Sequence, residues 1–383
     1  MKNFELIHGS DNYDTQMLYF TNHSLSKDEN FLYFISNEKG KKNLYIKNRQ
    51  TGEVTQITDD RNEKTESGYA GLGGRVGLGP SASDYEGNIL YYLLNNVLYA
   101  AAADGESREI LPLDKTEYFS LPNISSDGKY MCIAGAQAEI LDNSAHLQWN
   151  EIDKRVLKNH YYSHIYVIDL VKKEIIKKER VPDAWVTHIQ FSPVDNDLIL
   201  YNHEWTSVDC GVRRIWLWDG KTHTKIRTEG EGRSKDDWTC HEFWSEDGKY
   251  IYYHGKYLDV HAYLGRYELA TGEIIEIPID HRYSHLYGHF SLGKDGVMVS
   301  DGYYCEPGEE KPRESVQMYD SAWLTLQKPD WEKKTITVTP LLKHLSSWKT
   351  QDEHPHPIFG DRGDAVYFTS DMDGKRKIYC CKL

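Results

Sequence analysis

The apolar residues of the chain fall into short alternating runs separated by polar turns. One unit recurs: a Ser or Pro, an Asp-Gly pair or its equivalent two residues later, an apolar strand, a polar turn, and a second strand that ends near a Tyr. Clear copies begin at residues 26, 125 and 245. Alternation with a period of two is typical of strands that bury one face, so the pattern predicts an all-β protein.

Seven copies of this unit follow one another within residues 1–383, and the last stops after its third strand, near Tyr379. A single sheet of this kind cannot bury both faces, whereas a ring of sheets covers them all. We therefore expect one domain, a seven-bladed β-propeller. An N-terminal strand, from residues 4–7 or 16–19, is expected to complete the last sheet and close the ring.

Two insertions interrupt the repeat. Residues 136–163 carry Trp149, Ile152 and Val156 at helical spacing among charged residues, which predicts a short amphipathic helix over one face of the ring. Residues 302–316 are polar and contain Gly and Pro, which is typical of a loop. Either insertion could be a lid, and ordinary loop decoration is the alternative, particularly for the second.

The composition fits a strand-rich fold and restricts the partners. The chain contains 28 Tyr and 10 Trp, residues that favour strands. Its net charge of -14 argues against nucleic-acid binding. No run of about 18 apolar residues predicts a membrane span, and the first residues lack an apolar stretch of signal-peptide length. No obligate protein partner is predicted.

The cysteines and the absence of several known motifs restrict the possible location and function of the protein. The six cysteines have no regular spacing, so we interpret them as reduced thiols of a cytoplasmic protein. The sequence has no Gly-x-Ser-x-Gly motif, phosphate loop or Gly-rich dinucleotide motif. Serine-hydrolase and nucleotide-binding functions are therefore not supported.

Four successive units place a histidine at the start of the same strand: His188, His241, His289 and His356. The interval to the following turn glycine is the same for the last three, and His188 has one residue more before its turn residue, Asn196. A ring would bring these side chains together. Such a histidine can also be a hydrogen-bonding brace. A brace should recur in most blades, but the first three units carry other residues at this position: Asn22, Pro80 and Leu121. The clustering therefore favours a functional site.

Residues 351–357 contain the densest group of candidate metal ligands. His354 and His356 are two residues apart at the start of a strand, so their side chains point to the same face. With His289 and the amide oxygen of Gln351, they could bind a divalent ion. A hard amide ligand and an open coordination sphere suit an octahedral ion such as manganese better than structural zinc. Without a carboxylate ligand, the ion would keep its charge and attract a substrate carboxylate.

Two adjacent arginines, Arg213 and Arg214, are predicted to point to opposite faces of one strand. An arginine that faces the channel would bind a carboxylate through two parallel hydrogen bonds. The alternative is a solvated surface pair. His203 precedes the pair and is expected to brace or line the same cavity.

These segments resemble the oligogalacturonate lyases, seven-bladed propellers that depolymerise short pectin fragments. The resemblance covers nearly the whole chain. It is strongest in Gln351-x-x-His354-Pro355-His356-Pro357 and in the Ser-Asp-x-Asp-Gly stretch at residues 370–374. Residues 183–188, 214–216 and 240–244 also match the family.

The resemblance implies a role for each candidate residue. It implies that His241 is the base and that Arg214 is a catalytic arginine that binds the substrate. His188 is placed in the substrate pocket, and His203 is expected to contact the substrate. The resemblance also implies that four residues hold a manganese-type ion: His289, Gln351, His354 and His356.

The sequence departs from the family pattern at one point and leaves a choice at another. The family reads His-Glu-Gly-Pro where this chain has His203-Glu204-Trp205-Thr206, so the exact sugar stays open. In the sixth unit, local context favours His285 as the metal ligand. The interval to the turn glycine favours His289, and we prefer it because this interval sets the position in the strand.

The reaction implied by the resemblance is β-elimination on short oligogalacturonates, including unsaturated ones, with release of unsaturated or keto-deoxyuronate monosaccharides. Neutral His241 would remove the C5 proton, while the metal and Arg214 would stabilise the enolate-like charge. Two alternatives stay open: a lyase for a different uronate, and a non-catalytic propeller that binds a partner.

Overall fold

The computed structural model describes residues 3–60, 75–84, 86–144, 147, 149–204, 214–227, 238–256, 262–279, 288–305, 308 and 322–383. Within these ranges the chain forms seven antiparallel sheets, one for each predicted repeat. The expected seven-bladed propeller is therefore confirmed.

The first strand, β1, spans Phe4–His8. Blade one contains β2 (Thr15–Met17), β3 (Phe31–Ser36), β4 (Asn43–Asn48) and β5 (Val54–Gln56). Blade two contains β6 (Leu78–Ser83), β7 (Ile89–Leu94), β8 (Val97–Ala102) and β9 (Ser107–Pro112). Blade three contains β10 (Glu117–Phe119), β11 (Asn123–Ile124), β12 (Tyr130–Gln137), β13 (Tyr162–Asp169) and β14 (Glu174–Pro182). In blade three, β10 and β11 both pair with β12 and share the inner edge.

Blade four contains β15 (Ile189–Phe191), β16 (Ile199–Asn202), β17 (Ile215–Trp218) and β18 (His223–Lys225), and blade five contains β19 (Trp238–Trp244), β20 (Tyr250–Lys256), β21 (Ala262–Glu268) and β22 (Ile274–Pro278). Blade six contains β23 (Phe290–Leu292), β24 (Met298–Ser300), β25 (Trp323–Asp330) and β26 (Thr335–Lys343). Blade seven contains β27 (Ile358–Phe359), β28 (Ala365–Ser370) and β29 (Lys377–Lys382). The seventh blade has the order β1-β29-β28-β27, so the N-terminal strand is its outermost member.

Ring closure uses the first of the two expected segments. Phe4 pairs with Cys381 and Leu6 pairs with Tyr379 in an antiparallel ladder. Residues 16 and 17 instead lie in β2, the innermost strand of the first blade. The two ends of the chain therefore share one sheet, which removes an open edge.

The turn that repeats along the chain has a simple physical basis. In blade three, the Ser125 hydroxyl donates to Asp127 at 2.7 Å and accepts the backbone N–H of Tyr130 at 2.9 Å. The same pair of bonds forms in blades one and five, from the serines at positions 26 and 245. Gly128 follows with a φ of 70°, in the left-handed region that favours glycine. Local hydrogen bonding thus fixes where each inner strand turns back.

Apolar side chains fill all seven interfaces between neighbouring sheets. Each of seven buried clusters draws its members mainly from two adjacent blades, including the last and the first. At that closing interface, Phe34 and Tyr45 of blade one pack in the same cluster as Ile358 and Tyr367 of blade seven. Sheet-on-sheet burial of this kind is the dominant stabilising contribution in a propeller.

The first insertion is helical, as predicted. It contains α1 (Ala138–Leu141) and α2 (Trp149–Asn159), and 3-10 turns are described elsewhere at Lys294–Gly296 and Gln351–Glu353. Ile152 and Val156 of α2 are buried against Ile140 and Trp185. No helix in the described ranges is both long and apolar enough to cross a membrane. Of the second insertion, residues 302–305 and 308 are described, and the rest lies outside the described residues.

Candidate metal and catalytic site

The four histidines at the starts of the inner strands of blades four to seven meet at one end of the ring. Ring centroids are 4.0 Å apart for His289 and His356, 4.4 Å for His241 and His289, and 6.2 Å for His188 and His241. All four side chains are buried. The connection that carries α1 and α2 joins β12 to β13 at this same end.

Three of the predicted metal ligands form a compact group. Ring nitrogens of His289, His354 and His356 lie within 4.8 Å of one another, and all three residues are buried. The structure therefore brings His289 to His354 and His356. His285, the alternative ligand that the sequence left open, lies outside the described residues. Three converging imidazoles fit a divalent transition-metal ion.

Asp301 orients two members of this group, and the sequence reasoning missed it. Its carboxylate accepts the backbone N–H of His289 at 2.6 Å and contacts Nδ1 of the same residue at 2.9 Å. It also accepts the backbone N–H of His356 at 3.1 Å. Because an ionised carboxylate can only accept, Nδ1 of His289 carries its proton and Nε2 keeps the lone pair that binds a metal.

The charge state of Asp301 is consistent with this role. Burial alone would raise its pKa, but the nearby His289 and its hydrogen bonds lower the pKa below the ordinary value. The position could have been found by its place in the blade, since Asp301 directly follows β24, opposite the start of β23.

Gln351 begins a 3-10 turn whose position is fixed by contacts to other blades. Thr350 caps the turn by accepting the N–H of Asp352 at 3.3 Å. Asp352 in turn is bound by Gln16 and Lys42 of blade one. Gln351 itself is half-buried. Its part as the fourth ligand stays a prediction.

The predicted base, His241, has an unusual backbone and two close partners. Its φ is 54°, in the left-handed region, and it lies in a β-bulge between Cys240 and Phe243. Nδ1 lies 2.7 Å from the carbonyl oxygen of Gly288 and 2.8 Å from Nε2 of His254. Burial first, then the neighbouring histidines, lower the pKa of His241 well below its ordinary value. The ring is therefore neutral near pH 7, as a base must be.

Arg214 is held between two carboxylates. It is 1% exposed, its Nε donates to Glu242 at 2.8 Å and one terminal nitrogen donates to Glu204 at 3.0 Å. Burial would lower the pKa of this guanidinium, but nearby Cys240, Glu204 and Glu242 raise it well above the ordinary value. The arginine is thus charged and rigidly placed. Sequence reasoning missed both glutamates, and Arg213 lies outside the described residues.

His188 and His203 have different surroundings. The His188 ring lies 5.4 Å from that of Tyr19. Its buried Nδ1 makes no hydrogen bond within the part of the chain that the structure describes. His203 instead stacks on Trp216 at 4.9 Å and lies 5.9 Å from Tyr201. The structure thus brings His188 to the other site histidines, whereas the described contacts of His203 are with these aromatic rings. The substrate roles of both stay predictions.

Two aromatic rings of blade one line the site, and no sequence pattern predicted them. The Tyr19 ring lies 4.9 Å from that of His356. The Phe20 ring is stacked on His356 at 6.2 Å and lies 5.6 Å from His241. Phe20 also lines cavities of about 220 and 270 Å³. Its ring therefore lies between the histidines and these cavities.

A second group of possible metal ligands lies beside the first: Cys240, His241 and His254. Burial raises the pKa of the Cys240 thiol to about 12, so the thiol stays protonated near neutral pH. Nδ1 of His241 is already engaged by the carbonyl of Gly288. The group of three histidines held by Asp301 is therefore the better metal site.

Comparison with known proteins agrees with this geometry. The family model described as oligogalacturonate lyase matches residues 11–383. The oligogalacturonide lyase of Pectobacterium atrosepticum is 26% identical over 381 residues, which covers 95% of this chain and 89% of that protein.

Two solved structures share the fold along the whole chain. The oligogalacturonate lyase of Vibrio parahaemolyticus has a TM-score of 0.76 at 21% identity, covering 100% of this chain and 97% of that one. An oligogalacturonate lyase in complex with manganese has a TM-score of 0.75 at 19% identity, covering 100% and 96%. The resemblance found in the sequence is confirmed, and the chain belongs to the oligogalacturonate lyase family.

Proposed function

We propose that this lyase cleaves short oligogalacturonates, including unsaturated ones, by β-elimination and releases unsaturated or keto-deoxyuronate monosaccharides. The observation that carries the proposal is the position of a neutral histidine, His241, with its ring 4.4 Å from that of His289, a member of the three-histidine group. β-Elimination needs this combination, because a base must act beside a centre that neutralises the uronate carboxylate.

The divalent ion would be held by His289, His354 and His356 together with Gln351. Manganese is the ion we propose, because a family member of the same fold is known in complex with it and imidazole and amide ligands suit it. When bound, such an ion supplies positive charge to the substrate carboxylate and so favours loss of the neighbouring C5 proton.

The remaining steps belong to side chains of the site. His241 accepts the C5 proton at Nε2, because Nδ1 already donates to the carbonyl of Gly288. Arg214 has five N–H groups, and three of them are used by Glu204 and Glu242. The other two remain for a substrate carboxylate. The buried Nδ1 of His188 is available to a sugar hydroxyl.

The experiment that tests the proposal follows the products directly. The manganese-loaded protein is incubated separately with di- and trigalacturonate and with oligomers of another uronate, and the products are identified by mass spectrometry. We expect unsaturated or keto-deoxy monosaccharides from galacturonate alone. Products from the other uronate only would support a different lyase, and no products from either would support a binding module.

A pair of variants assigns the base. His241→Ala should keep its metal and lose turnover by a hundredfold or more, the usual range for removal of a general base. His160→Ala is the control, because His160 is exposed and its ring contacts Asp183. If His241→Ala turns over normally, or loses its metal together with its activity, His188 becomes the candidate base.

We also propose a cytoplasmic location. Three buried cysteines within the described ranges are free thiols: Cys132, Cys240 and Cys380. Free thiols are typical of proteins in a reducing compartment. The proposed partner is the acidic oligosaccharide itself.

A further inference from the structure

Three consecutive blades support their site histidine from the same place in the fold. The supporting residue lies within the last three residues of the second strand or directly after it, beside the site histidine of the paired inner strand. Asn202 accepts the backbone N–H of His188 at 2.9 Å, and Asp301 binds His289. In the blade between them the position is His254, which binds His241.

These supporting residues differ in the chemical group that they present and in the part of the histidine that they contact. The Asn202 side chain meets the backbone of its histidine, whereas Asp301 presents a carboxylate to Nδ1. A carboxylate strengthens the opposite ring nitrogen as a metal ligand. A neutral imidazole can accept the same Nδ1–H hydrogen bond without adding a negative charge. Of these three blades, the one with the proposed base is therefore the one in which a neutral side chain, that of His254, meets Nδ1 of the site histidine.

The short contacts around His241 determine which of its nitrogens carries the proton. A carbonyl oxygen only accepts hydrogen bonds, so the 2.7 Å contact with Gly288 requires a proton on Nδ1 of His241. Nε2 of His254, 2.8 Å from the same nitrogen, must then be an acceptor and not a second donor. Both partners thus keep Nε2 of His241 unprotonated, in the form that can take a proton.

Packing holds both partners in place. The His254 ring is 4% exposed and packs on Phe290, with ring centroids 4.8 Å apart. Gly288 lies so close to Gly302 that a Cβ at position 288 would be 2.9 Å from the Cα of Gly302. The absence of a side chain at both positions lets the Gly288 carbonyl approach His241. A rigid pair of acceptors is what a positioned base requires.

We propose that His254 is a positioning residue that holds His241 in the tautomer and orientation in which it removes the substrate proton. As His241 takes up that proton on Nε2, its Nδ1–H stays hydrogen-bonded to the Gly288 carbonyl and to Nε2 of His254, which stabilise the imidazolium. This inference rests on the proposed function, in which His241 is the base.

The test replaces His254 by residues of similar size that differ in hydrogen bonding. His254→Phe keeps a buried ring but has no acceptor, and His254→Gln restores one at the place of Nε2. In the manganese-loaded enzyme with digalacturonate, we expect His254→Phe to lower kcat about 10- to 100-fold, with KM and bound metal unchanged. His254→Gln should recover to within about threefold of the parent kcat.

The equivalent position in the next blade provides the matched control. Asp301→Asn should weaken metal binding, whereas His254→Phe should not, although both changes alter the side chain that meets a ring Nδ1. Adding His254→Phe to His241→Ala should leave the residual rate of the single variant unchanged, because His254 is proposed to act only through His241.

The outcomes separate this inference from the proposed function. If His241→Ala keeps full turnover, the base assignment fails, and this inference fails with it. If His241→Ala is inactive but His254→Phe has the parent kcat, only the role of His254 is wrong. Three other results would overturn the role of His254. They are loss of metal in His254→Phe, a further loss of rate in the double variant, and a His254→Gln variant as slow as His254→Phe.

Discussion

Asp301 and His289 are joined twice, through the backbone N–H and through the ring Nδ1 of the histidine, and both residues are fully buried. The double contact fixes the position of the strand as well as the rotation of the ring. The same carboxylate binds the backbone of His356 in the neighbouring blade. One buried acid therefore aligns two histidines that come from neighbouring blades.

Asp301→Asn should weaken metal binding. An amide oxygen can still accept one N–H, but it carries no charge to strengthen Nε2 of His289. We expect a 10- to 100-fold rise in the Kd for Mn²⁺, the usual effect of removing a residue that orients a metal ligand. Titration calorimetry measures this value. Asp295→Asn, an exposed change in the same blade, should leave the Kd unchanged, and an unchanged Kd in Asp301→Asn would contradict the role given to the acid.

His356→Ala should remove the bound divalent ion and nearly all turnover. The His356 ring lies 4.0 Å from that of His289. The apolar core of the closing interface is formed by other residues, so loss of this imidazole should leave the ring of blades intact. Metal content by elemental analysis and the circular dichroism spectrum check both halves of this prediction. A variant with one equivalent of metal and normal turnover would place the metal site elsewhere.

Arg214→Lys should weaken both substrate binding and turnover while the protein stays folded. A lysine keeps the positive charge between Glu204 and Glu242 but has no planar fork for a carboxylate. We expect KM to rise and kcat to fall, because the arginine contacts the carboxylate before and during proton removal. Steady-state kinetics on digalacturonate measure both. Parent values for KM and kcat would exclude Arg214 from the substrate site.

Arg214→Ala is expected to act mainly on stability. It leaves two carboxylates buried beside each other, and removal of one partner of a buried ion pair costs about 3 to 5 kcal/mol. Denaturant unfolding should show this loss in the metal-free protein. If Arg214→Ala were as stable as Arg214→Lys, the glutamates would not depend on the guanidinium for their burial.

Glu29→Gln should destabilise the closing interface at neutral pH but not in acid. The Glu29 carboxylate accepts from Arg362 at 2.9 Å and from the hydroxyl of Tyr367 at 3.0 Å, both in the last blade. Burial would raise its pKa, but the Arg362 contacts lower it below the ordinary 4.5. A lowered folded-state pKa gives stability above about pH 4.5 that is lost as the pH falls through the folded value.

The measurement for this pair is the melting temperature against pH. The parent should melt higher than Glu29→Gln at pH 7, and the gap should narrow below the ordinary pKa of the carboxyl and close below its lowered folded-state pKa. Glu86→Gln is the control, because Glu86 forms an exposed ion pair with Lys27, which contributes little. A gap that persists unchanged in acid would mean that the carboxylate charge is not what joins the blades.

The repeated blades were predictable because their pattern is local. Side-chain alternation and the hydrogen bonds of a serine such as Ser125 act within a few residues, so they can be read from the sequence. The intervals to the turns also placed the four histidines in equivalent positions. The contribution of Glu29 was not predictable in this way. It occupies a turn position where later blades have glycine, and its function lies in a contact 333 residues along the chain.

The residues that support the site were missed for the same reason. Glu204, Glu242 and Asp301 have no motif of their own, and each acts on a residue that the fold brings near. Phe20 belongs to an irregular part of blade one, where the repeat gives no expected site position. Sequence spacing thus predicted the histidines that start strands, whereas their partners depend on how neighbouring blades pack.

The pairing of β1 with β29 has a consequence for the order in which the protein becomes active. The residues of β1 are synthesised before their partners in the last blade. The chain thus carries an unpaired outer strand throughout synthesis. His354 and His356 also arrive with the final blade, after Phe20 and His289 have been made. A chain that stops before residue 351 would therefore have most of the propeller but neither its closing sheet nor two of the three clustered histidines, and we expect turnover only after β1 has paired with β29.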